Sequence, residues 1–428
     1  MVGAAIAPVL ERASSGVRVV TTAMEDRASV TLVLMFAVGS RYEPRHLNGA
    51  SHFIEHMLFK GTTRLPDAKA ISSAIETVGG VMNASTDKEV TAYWVKVPAD
   101  KLELAMDVLS DIVLESKFEP TDVNRERQVI VEEIHMYQDL PQDQVHSLFD
   151  LLMWPEHPLG WDIAGTPESL AGQDSRQLRS YMRQHYRPDN LVVSLAGLVD
   201  SDRSLALIER YIADRLPGAA VVAPSASPPA PTAAAVSVQD KRTEQAHICL
   251  GYRALSYFDE DRHALDLIST ALGEGMSSKL FVELREERGL AYDVHTYVVK
   301  HADTGMFGVY TGVEPSKALE AVAAIIEELG KVAGGQFSAD DLRRAKEFSK
   351  GRLVIGLEST NAVANWFGHQ ELLQGEIVSA AQVIERIEAV SLEDINRVAR
   401  RVFSGPLQLA AVGPFPDSSR FAELISAG

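Results

Sequence analysis

Hydrophobic and polar positions along the chain follow two alternating patterns. Short runs rich in β-branched and aromatic residues predict strands, and longer stretches with apolar residues every three or four positions predict amphipathic helices. The strand-like runs are 29–39, 90–97, 190–197, 246–254, 291–300, 305–313 and 407–413. This alternation predicts an α+β fold in which mostly antiparallel sheets are flanked by helices.

The order of these elements occurs twice. Tyr93 and Tyr310 lie in strand-like runs 217 residues apart, and each run leads into an amphipathic helix. Tyr186 and Phe403, near the ends of the two halves, have the same offset of 217. Two blocks with one offset indicate an internal duplication.

The segment between the two copies is rich in Pro, Ala and Ser and has no helical or strand period, which is typical of a linker. We therefore predict two homologous domains, 1–216 and 236–428, joined by a linker over 217–235.

Composition and charge narrow the class of protein. The 428 residues carry a formal net charge of −18, which argues against nucleic acid as a partner because phosphate binding needs a basic surface. The single Cys249 excludes an internal disulfide and is consistent with a reducing compartment. The sequence shows neither a signal peptide nor a long uncharged apolar stretch, so we expect a cytoplasmic protein without membrane contact.

One short stretch, 51–60, holds the candidate chemistry. The sequence SHFIEHMLFK predicts a largely buried helix on which His52, Glu55 and His56 share one side. Two imidazoles suit Zn²⁺, and a neighbouring carboxylate suits a general base acting on a water. The alternative is a pair of core histidines that are satisfied by backbone carbonyls.

The second repeat serves as an internal control on this hypothesis. Positions 217 residues after His52, Glu55, His56 and a further candidate, Glu133, hold residues that could not replace them: Ser269, Leu272, Gly273 and Lys350. A group that was needed only to build the domain would be expected in both copies. The difference therefore favours a functional role in the first repeat.

A third ligand is expected from the helix predicted after Pro120, with Thr121 as its cap. The helical period places Glu133 on an inward stripe with Val129, Ile130, Met136, Tyr137 and Glu126. We interpret Glu133 as a metal ligand and Glu126 as a carboxylate that orients a ligand or the water. A surface ion pair with a neighbouring Arg is the alternative for Glu126.

Several motifs together resemble those of the pitrilysin-like inverted zincins, and in particular the members similar to mitochondrial processing peptidase. They cover nearly the whole chain: HFIEH at 52–56, GGVMNASTDKEVTAYW at 79–94, RERQVIVEEIHM at 125–136 and LREERGLAYDV at 284–294. The resemblance implies a zinc metalloendopeptidase with one Zn²⁺ per chain, bound by His52, His56 and Glu133, and with Glu55 as the base. It also implies that each chain forms a half-clamshell, and that unfolded peptides are cleaved in a closed chamber.

The resemblance also implies a substrate-binding strand. Asn83 and Ala84 would lie on a free sheet edge that pairs with an extended peptide. Hydrogen bonding of Asn83 to its own backbone is the alternative.

Arg285 and Tyr292 match the family's pair that holds the substrate backbone and stabilises the oxyanion. The alternative is an ion pair of Arg285 with a nearby Glu and a core position for Tyr292. In the family, this pair and the zinc site come from opposite half-shells, so the presence of both sets here predicts a homodimer with composite active sites. Three alternatives remain open: a catalytically silent structural subunit of the same fold, a subunit active only with a distinct partner, and a zinc enzyme that acts on a small molecule.

Overall fold

The computed structural model describes residues 7–217 and 223–427, so residues 218–222 of the predicted linker lie outside the described residues. The strands in chain order are β1 (Val9–Arg12), β2 (Arg18–Ala23), β3 (Ser29–Phe36), β4 (Val81–Thr86), β5 (Thr91–Pro98), β6 (Leu191–Gly197), β7 (Ala235–Asp240), β8 (Ala246–Ala254), β9 (Ala291–Lys300), β10 (Gly305–Val313) and β11 (Gln408–Gly413).

The helices in the same order are α1 (Ala50–Leu58), α2 (Ala68–Glu76), α3 (Leu102–Glu115), α4 (Pro120–Asp139), α5 (Pro141–Met153), α6 (Pro167–Ala171), α7 (Ser175–His185), α8 (Ser201–Tyr211), α9 (Arg262–Gly273), α10 (Lys279–Phe281), α11 (Ala318–Ala333), α12 (Ala339–Gly356), α13 (Thr360–His369), α14 (Ala380–Ala389), α15 (Leu392–Phe403) and α16 (Ser419–Ala427).

The strands form two sheets. One has the order β1-β2-β6-β3-β5-β4 and the other the order β7-β11-β8-β10-β9. The pairs β2/β6 and β11/β7 are parallel, and the remaining pairs are antiparallel. The predicted α+β class with mostly antiparallel sheets is confirmed, and so are all seven predicted strands. Three of the four strands that were not predicted from periodicity, β1, β4 and β7, lie at sheet edges, where partial exposure removes the apolar run that marks a strand.

The duplication is visible in the element boundaries. Adding 217 to the residue numbers of β3, β6, α3 and α7 gives the ranges of β8, β11, α11 and α15 to within one residue at either end. The two sheets and their covering helices are therefore two copies of one unit.

Two compact units divide the described parts of the chain, and they exchange segments. One comprises Met1–Ile134, Asp162–Ser225 and Leu353–Gln382; the other comprises His135–Trp161, Ala226–Arg352 and Val383–Gly428. The predicted division into 1–216, a linker over 217–235, and 236–428 stays a prediction. It assigns each domain one continuous segment, whereas each compact unit contains segments from both sides of the linker. Helix α5 belongs to the second unit although it precedes the linker, and α13 belongs to the first unit although it follows it.

In the first unit, α13 covers the sheet face opposite the main core. The Ser194 hydroxyl donates to the Ala364 carbonyl oxygen at 2.7 Å, and the hydroxyls of Thr31 and Thr360 are 2.8 Å apart. Gly368 permits this close approach, because a Cβ there would lie 2.7 Å from the sulfur of Met35. The helix is thereby packed directly on the sheet.

In the second unit, α5 has the equivalent position. Its buried residues Val145, Phe149 and Met153 form a cluster with Cys249 and Tyr310 of the sheet. Both faces of each sheet are thus covered. Within the described residues, no helix is long and apolar enough to cross a membrane.

Truncation of Phe149 to Ala will test the role of α5. Phe149 is fully buried, so Phe149→Ala is expected to lower the free energy of unfolding by about 3–5 kcal/mol through the lost contacts and the cavity. Leu151 on the same helix is 47% exposed, and Leu151→Ala is expected to change it by no more than about 0.5 kcal/mol. Urea unfolding followed by tryptophan fluorescence measures both changes; equal losses would contradict the packing of α5.

Candidate metal centre and active site

The N-terminus of helix α1 is fixed by a buried carboxylate. Glu43 accepts hydrogen bonds from the N–H groups of Gly49 and Ser51, both at 2.7 Å, and so pairs donors that the helix itself leaves free. Burial raises the pKa of Glu43 to about 7, while these two N–H groups oppose the shift. Gly49 has a φ of 94°, and a Cβ there would lie 2.6 Å from the Ala164 carbonyl oxygen. The helix therefore begins at Ala50, one residue before the predicted stretch 51–60, and ends at Leu58.

Helix α1 turns its apolar residues into the core and keeps its polar residues together. Phe53, Ile54, Met57 and Leu58 are fully buried. His52, Glu55 and His56 are half-buried, as the sequence predicted for one side of the helix.

Three predicted metal ligands meet at this face. The Nε2 atoms of His52 and His56 are 3.2 Å apart, and Glu133 Oε2 lies 3.8 Å from the first and 3.6 Å from the second. A tetrahedral Zn²⁺ with bonds of about 2.0–2.1 Å would separate its ligand atoms by roughly 3.3 Å. In the described part of the chain, these three residues are the only group with ligand atoms this close together. The donor set and its spacing fit a zinc ion.

The two histidines are held differently. Burial first, and then the charge of His56, lower the pKa of His52 to about 4, so its imidazole is neutral at neutral pH, as a metal ligand requires. Its Nδ1 is buried and has no hydrogen-bond partner within residues 7–217 and 223–427. His56 Nδ1 instead donates to Glu126 Oε1 at 2.9 Å, which leaves its Nε2 as the lone-pair atom.

Glu126 contacts His56 in the last turn of α1 and Lys60 just after the end of that helix. It is buried, accepts from His56, and pairs through Oε2 with Lys60 Nζ at 2.7 Å. Burial opposes ionisation of Glu126, but the hydrogen bonds from His56 and Lys60 outweigh it and hold the pKa of this carboxyl below its usual value. The ion pair of Glu126 is therefore with the partly exposed Lys60 and not with a neighbouring arginine. Sequence reasoning missed Lys60, although it lies only four residues after His56, just beyond the end of α1.

The inward stripe predicted for α4 is partly wrong. Its buried residues are Val123, Glu126, Ile130 and Ile134, and the helix begins at Pro120, one residue before the predicted cap. Three residues predicted to face inward are exposed by 43–52%: Val129, Met136 and Tyr137. The prediction placed Glu133 on this inward stripe; Glu133 lies at the margin of the stripe and is half-buried. Helix α4 thus brings Glu133 to the site although the neighbouring residues on that side of the helix are exposed.

Glu55, the predicted base, lies beside the ligands and against strand β4. The Thr86 hydroxyl donates to Glu55 Oε2 at 2.5 Å. Burial raises the pKa of Glu55, while the Thr86 hydrogen bond opposes the shift. Sequence reasoning gave no role to Thr86.

A cavity of about 470 Å³ opens next to Glu55 and His56. Phe59 and Ile75 contribute apolar surface to this cavity, and Asn83 of β4 also lines it. A peptide side chain next to the reacting carbonyl would have room here.

Asn83 and Ala84 lie on β4, the edge strand of the first sheet, opposite Trp94 and Tyr93 of β5. Asn83 Oδ1 accepts a hydrogen bond from the Ala84 N–H at 2.9 Å, which is the local contact considered as the alternative. An incoming peptide strand would compete with this contact. The proposed substrate role of the two residues stays a prediction.

Arg285 and Tyr292 belong to the second unit and contact each other there. Arg285 Nη1 donates to the Tyr292 carbonyl oxygen at 3.1 Å, and the guanidinium lies 5.1 Å from the Tyr292 ring centre and 4.9 Å from that of Phe281. Arg285 lies in a π-helical segment, Val282–Glu287, a geometry often found at functional sites. Tyr292 is 72% exposed and is therefore not a core aromatic.

The second repeat builds no equivalent centre. The Ser269 hydroxyl donates to Thr296, and a Cβ at Gly273 would overlap the same threonine. Lys350 pairs with Glu347 and Glu388. The positions that hold the candidate ligands and base in the first repeat serve packing and surface ion pairs in the second.

Comparison with known proteins gives the family. A model described as insulinase (peptidase family M16) matches residues 18–167, and one described as the peptidase M16 inactive domain matches residues 174–348. An uncharacterized zinc protease of Streptomyces coelicolor is 41% identical over 94% of this chain and 88% of its own length. The uncharacterized zinc protease YmxG of Bacillus subtilis is 36% identical over 94% of this chain and 97% of its own length.

Solved structures show the same fold. A protease from Helicobacter pylori superposes with a TM-score of 0.87 at 24% identity, covering 96% of this chain and 100% of that one. A peptidase M16 inactive domain from Pseudomonas fluorescens gives 0.89 at 18% identity, covering 95% of this chain and 98% of that one.

The fold and the zinc-compatible ligand group are those of a metallopeptidase class built from paired α+β domains. The chain belongs to peptidase family M16, the insulinase family.

Substitution of Lys60 will test how Glu126 supports the centre. Lys60→Met removes the cation that holds the Glu126 carboxylate, so the dissociation constant for zinc is expected to rise by about tenfold, as outer-shell partners of metal ligands typically contribute. Competition with a chromophoric chelator measures this constant. Lys60→Arg keeps the charge, and Lys69→Met removes an exposed lysine of α2; both are expected to bind zinc nearly as tightly as the wild type. Equal zinc affinity of Lys60→Met and Lys69→Met would contradict the role of the ion pair.

Proposed function

We propose that this protein is a zinc-dependent endopeptidase that hydrolyses unfolded peptides and oligopeptides. The observation that carries the proposal is the group of His52, His56 and Glu133, whose ligand atoms lie within 4.8 Å of one another beside Glu55. The names of the Streptomyces and Bacillus relatives support the metal and the reaction class.

The ligand set is assigned to one Zn²⁺ per chain, which when bound polarises the scissile carbonyl and acidifies the attacking water. His52 and His56 offer neutral imidazole Nε2 atoms, and Glu133 offers Oε2. Glu126 keeps the His56 proton on Nδ1 and so keeps Nε2 available.

Glu55 serves as general base in this proposal. Its Oε2 is held by Thr86, so Oε1 is the oxygen available to accept the proton of the attacking water. Glu55 then returns this proton to the leaving amine. Because burial raises the pKa of Glu55, this carboxylate is a stronger base than an exposed glutamate.

The substrate is proposed to bind as an added strand at β4. An edge strand offers unpaired backbone groups to an extended peptide, which selects for unfolded segments over folded proteins. Asn83 and Ala84 would form this edge, with the cavity beside Phe59 receiving a side chain.

The active site is proposed to be composite. Exposed Tyr292, stacked with Arg285, is available as a hydroxyl donor for an oxyanion. In this proposal a second copy of the chain supplies the pair, which gives a homodimer that closes into a chamber. We further propose a cytoplasmic location, consistent with the single buried Cys249.

The competing proposal is a structural subunit without activity, or one active only with another chain. The ligand group, the base and the exposed Tyr292 favour the enzyme, because a silent subunit has no need for them. The test below also separates these alternatives.

Substitution of Glu55 will test the reaction. Glu55→Gln is expected to lower kcat on a quenched fluorogenic peptide by roughly 10²–10⁴-fold, because the base is lost, while zinc content stays at the wild-type level. Exposed Glu132 on α4 gives the matched control Glu132→Gln, which is expected to keep full activity.

Zinc analysis and size-exclusion chromatography accompany the assay. Full activity of zinc-loaded Glu55→Gln would contradict the assignment of the base. A zinc-loaded wild-type dimer that cleaves no peptide would contradict the enzyme and favour the silent subunit.

A further inference from the structure

Strand β4 carries a hydroxyl where its other inward side chains are apolar. Met82, Ala84 and Thr86 share one face of the strand, and Met82 and Ala84 pack against the main core of the first unit. A valine at position 86 would fill the same volume and favour the strand equally well. The hydroxyl of Thr86 is therefore explained by its partner, Glu55, which it contacts at 2.5 Å.

This contact is the only hydrogen bond to the Glu55 carboxylate from the described residues. Glu55 has several rotatable bonds and borders an open cavity, so its packing alone leaves the carboxylate free to move. A hydrogen bond to Oε2 fixes which oxygen faces the reacting water. The Thr86 hydroxyl would in this way position the Glu55 carboxylate without itself taking part in the reaction.

The strand end that carries Thr86 is itself rigidly held. The N–H groups of Ser40 and Arg41 donate to the carbonyl oxygens of Asp87 and Lys88 at 3.1 and 2.8 Å, which fixes the turn between β4 and β5. Within this turn region, Arg41 and Glu89 form a buried ion pair at 2.6 Å. The end of β4 that carries Thr86 is thus held by contacts of the turn that follows it.

We propose that Thr86 is a positioning residue that sets the orientation of Glu55, and that β4 thereby aligns the base with the bound peptide. The proposal rests on the proposed function. Ala84, the proposed pairing position, precedes Thr86 by two residues, or roughly 7 Å along the strand. One rigid strand therefore holds both the peptide register and the base, so the scissile bond and the proton acceptor stay in a fixed relation.

Three variants test this role. Thr86→Val removes the hydroxyl at constant shape and is expected to lower kcat by about 10- to 100-fold, a part of the roughly 10²- to 10⁴-fold that a general base supplies. KM is expected to stay within about twofold, because the peptide still binds the same edge. Thr86→Ser keeps the hydroxyl and is expected to restore kcat to within about threefold of the wild type.

Thr91→Val is the matched control. Thr91 is the β5 residue opposite Thr86, and its buried hydroxyl donates to the Val38 carbonyl oxygen at 2.8 Å. This variant loses a threonine hydroxyl from the same hairpin without touching Glu55, so a loss of stability is expected without a loss of kcat. Zinc content is measured for every variant and is expected to be unchanged.

Two readouts do not depend on turnover. Crystal structures of the zinc-loaded variants are expected to show the Glu55 carboxylate displaced in Thr86→Val and retained in Thr86→Ser. In a Glu55→Gln background, Thr86→Val is expected to leave the dissociation constant of an uncleaved fluorescent peptide unchanged.

Wild-type kcat in Thr86→Val, or an unmoved Glu55 carboxylate in its crystal structure, would overturn the positioning role. A wild-type protein that cleaves no peptide would overturn the proposed function instead, and the crystal structures would still decide what Thr86 does.

Discussion

The buried carboxylate of Glu126 is the contact on which the geometry of the candidate metal centre depends. It accepts from His56 Nδ1 at 2.9 Å and pairs with Lys60 Nζ at 2.7 Å, and so joins α4 to the last turn of α1 and to the segment that follows it. Because Glu133 lies two turns further along the helix that carries Glu126, this junction also sets where the third ligand points. An ionised carboxylate in a buried position is stable only with such partners. Glu126 therefore stays charged because His56 and Lys60 contact it, and its charge in turn holds these two side chains in place.

Much of the fold could be predicted from the sequence because the two periodicities are strong. Seven strands and the helix at Ala50–Leu58, which carries candidate ligands, follow from apolar runs, and the offset of 217 holds through the helices as well. The two candidate histidine ligands and the candidate base Glu55 could also be predicted, because two histidines and a glutamate within about one helical turn have few structural uses. The absence of their equivalents at Ser269 and Gly273 made that inference stronger than the motif alone.

What the sequence did not reveal are contacts between distant segments. Lys60 and Thr86 have no motif that marks them, since their importance comes from partners 66 and 31 residues away. Glu133 lies at the margin of the buried face of α4, and Met136 is exposed. Which residues of this helix are buried depends on where the core ends and not on the helical period alone. Edge strands such as β7 were missed because partial exposure removes their pattern.

Because α5 and α13 each pack in the unit formed mainly by the other repeat, the two repeats depend on each other to fold. Each repeat encodes a helix whose apolar face is complementary to the sheet of the other, as Phe149 and Phe367 illustrate. A chain ending at the linker would carry one helix with nothing to cover and one sheet with an uncovered apolar face, which is a surface prone to aggregation. Each repeat therefore depends on a helix of the other to bury one face of its sheet, so the two repeats are expected to fold well only within one chain.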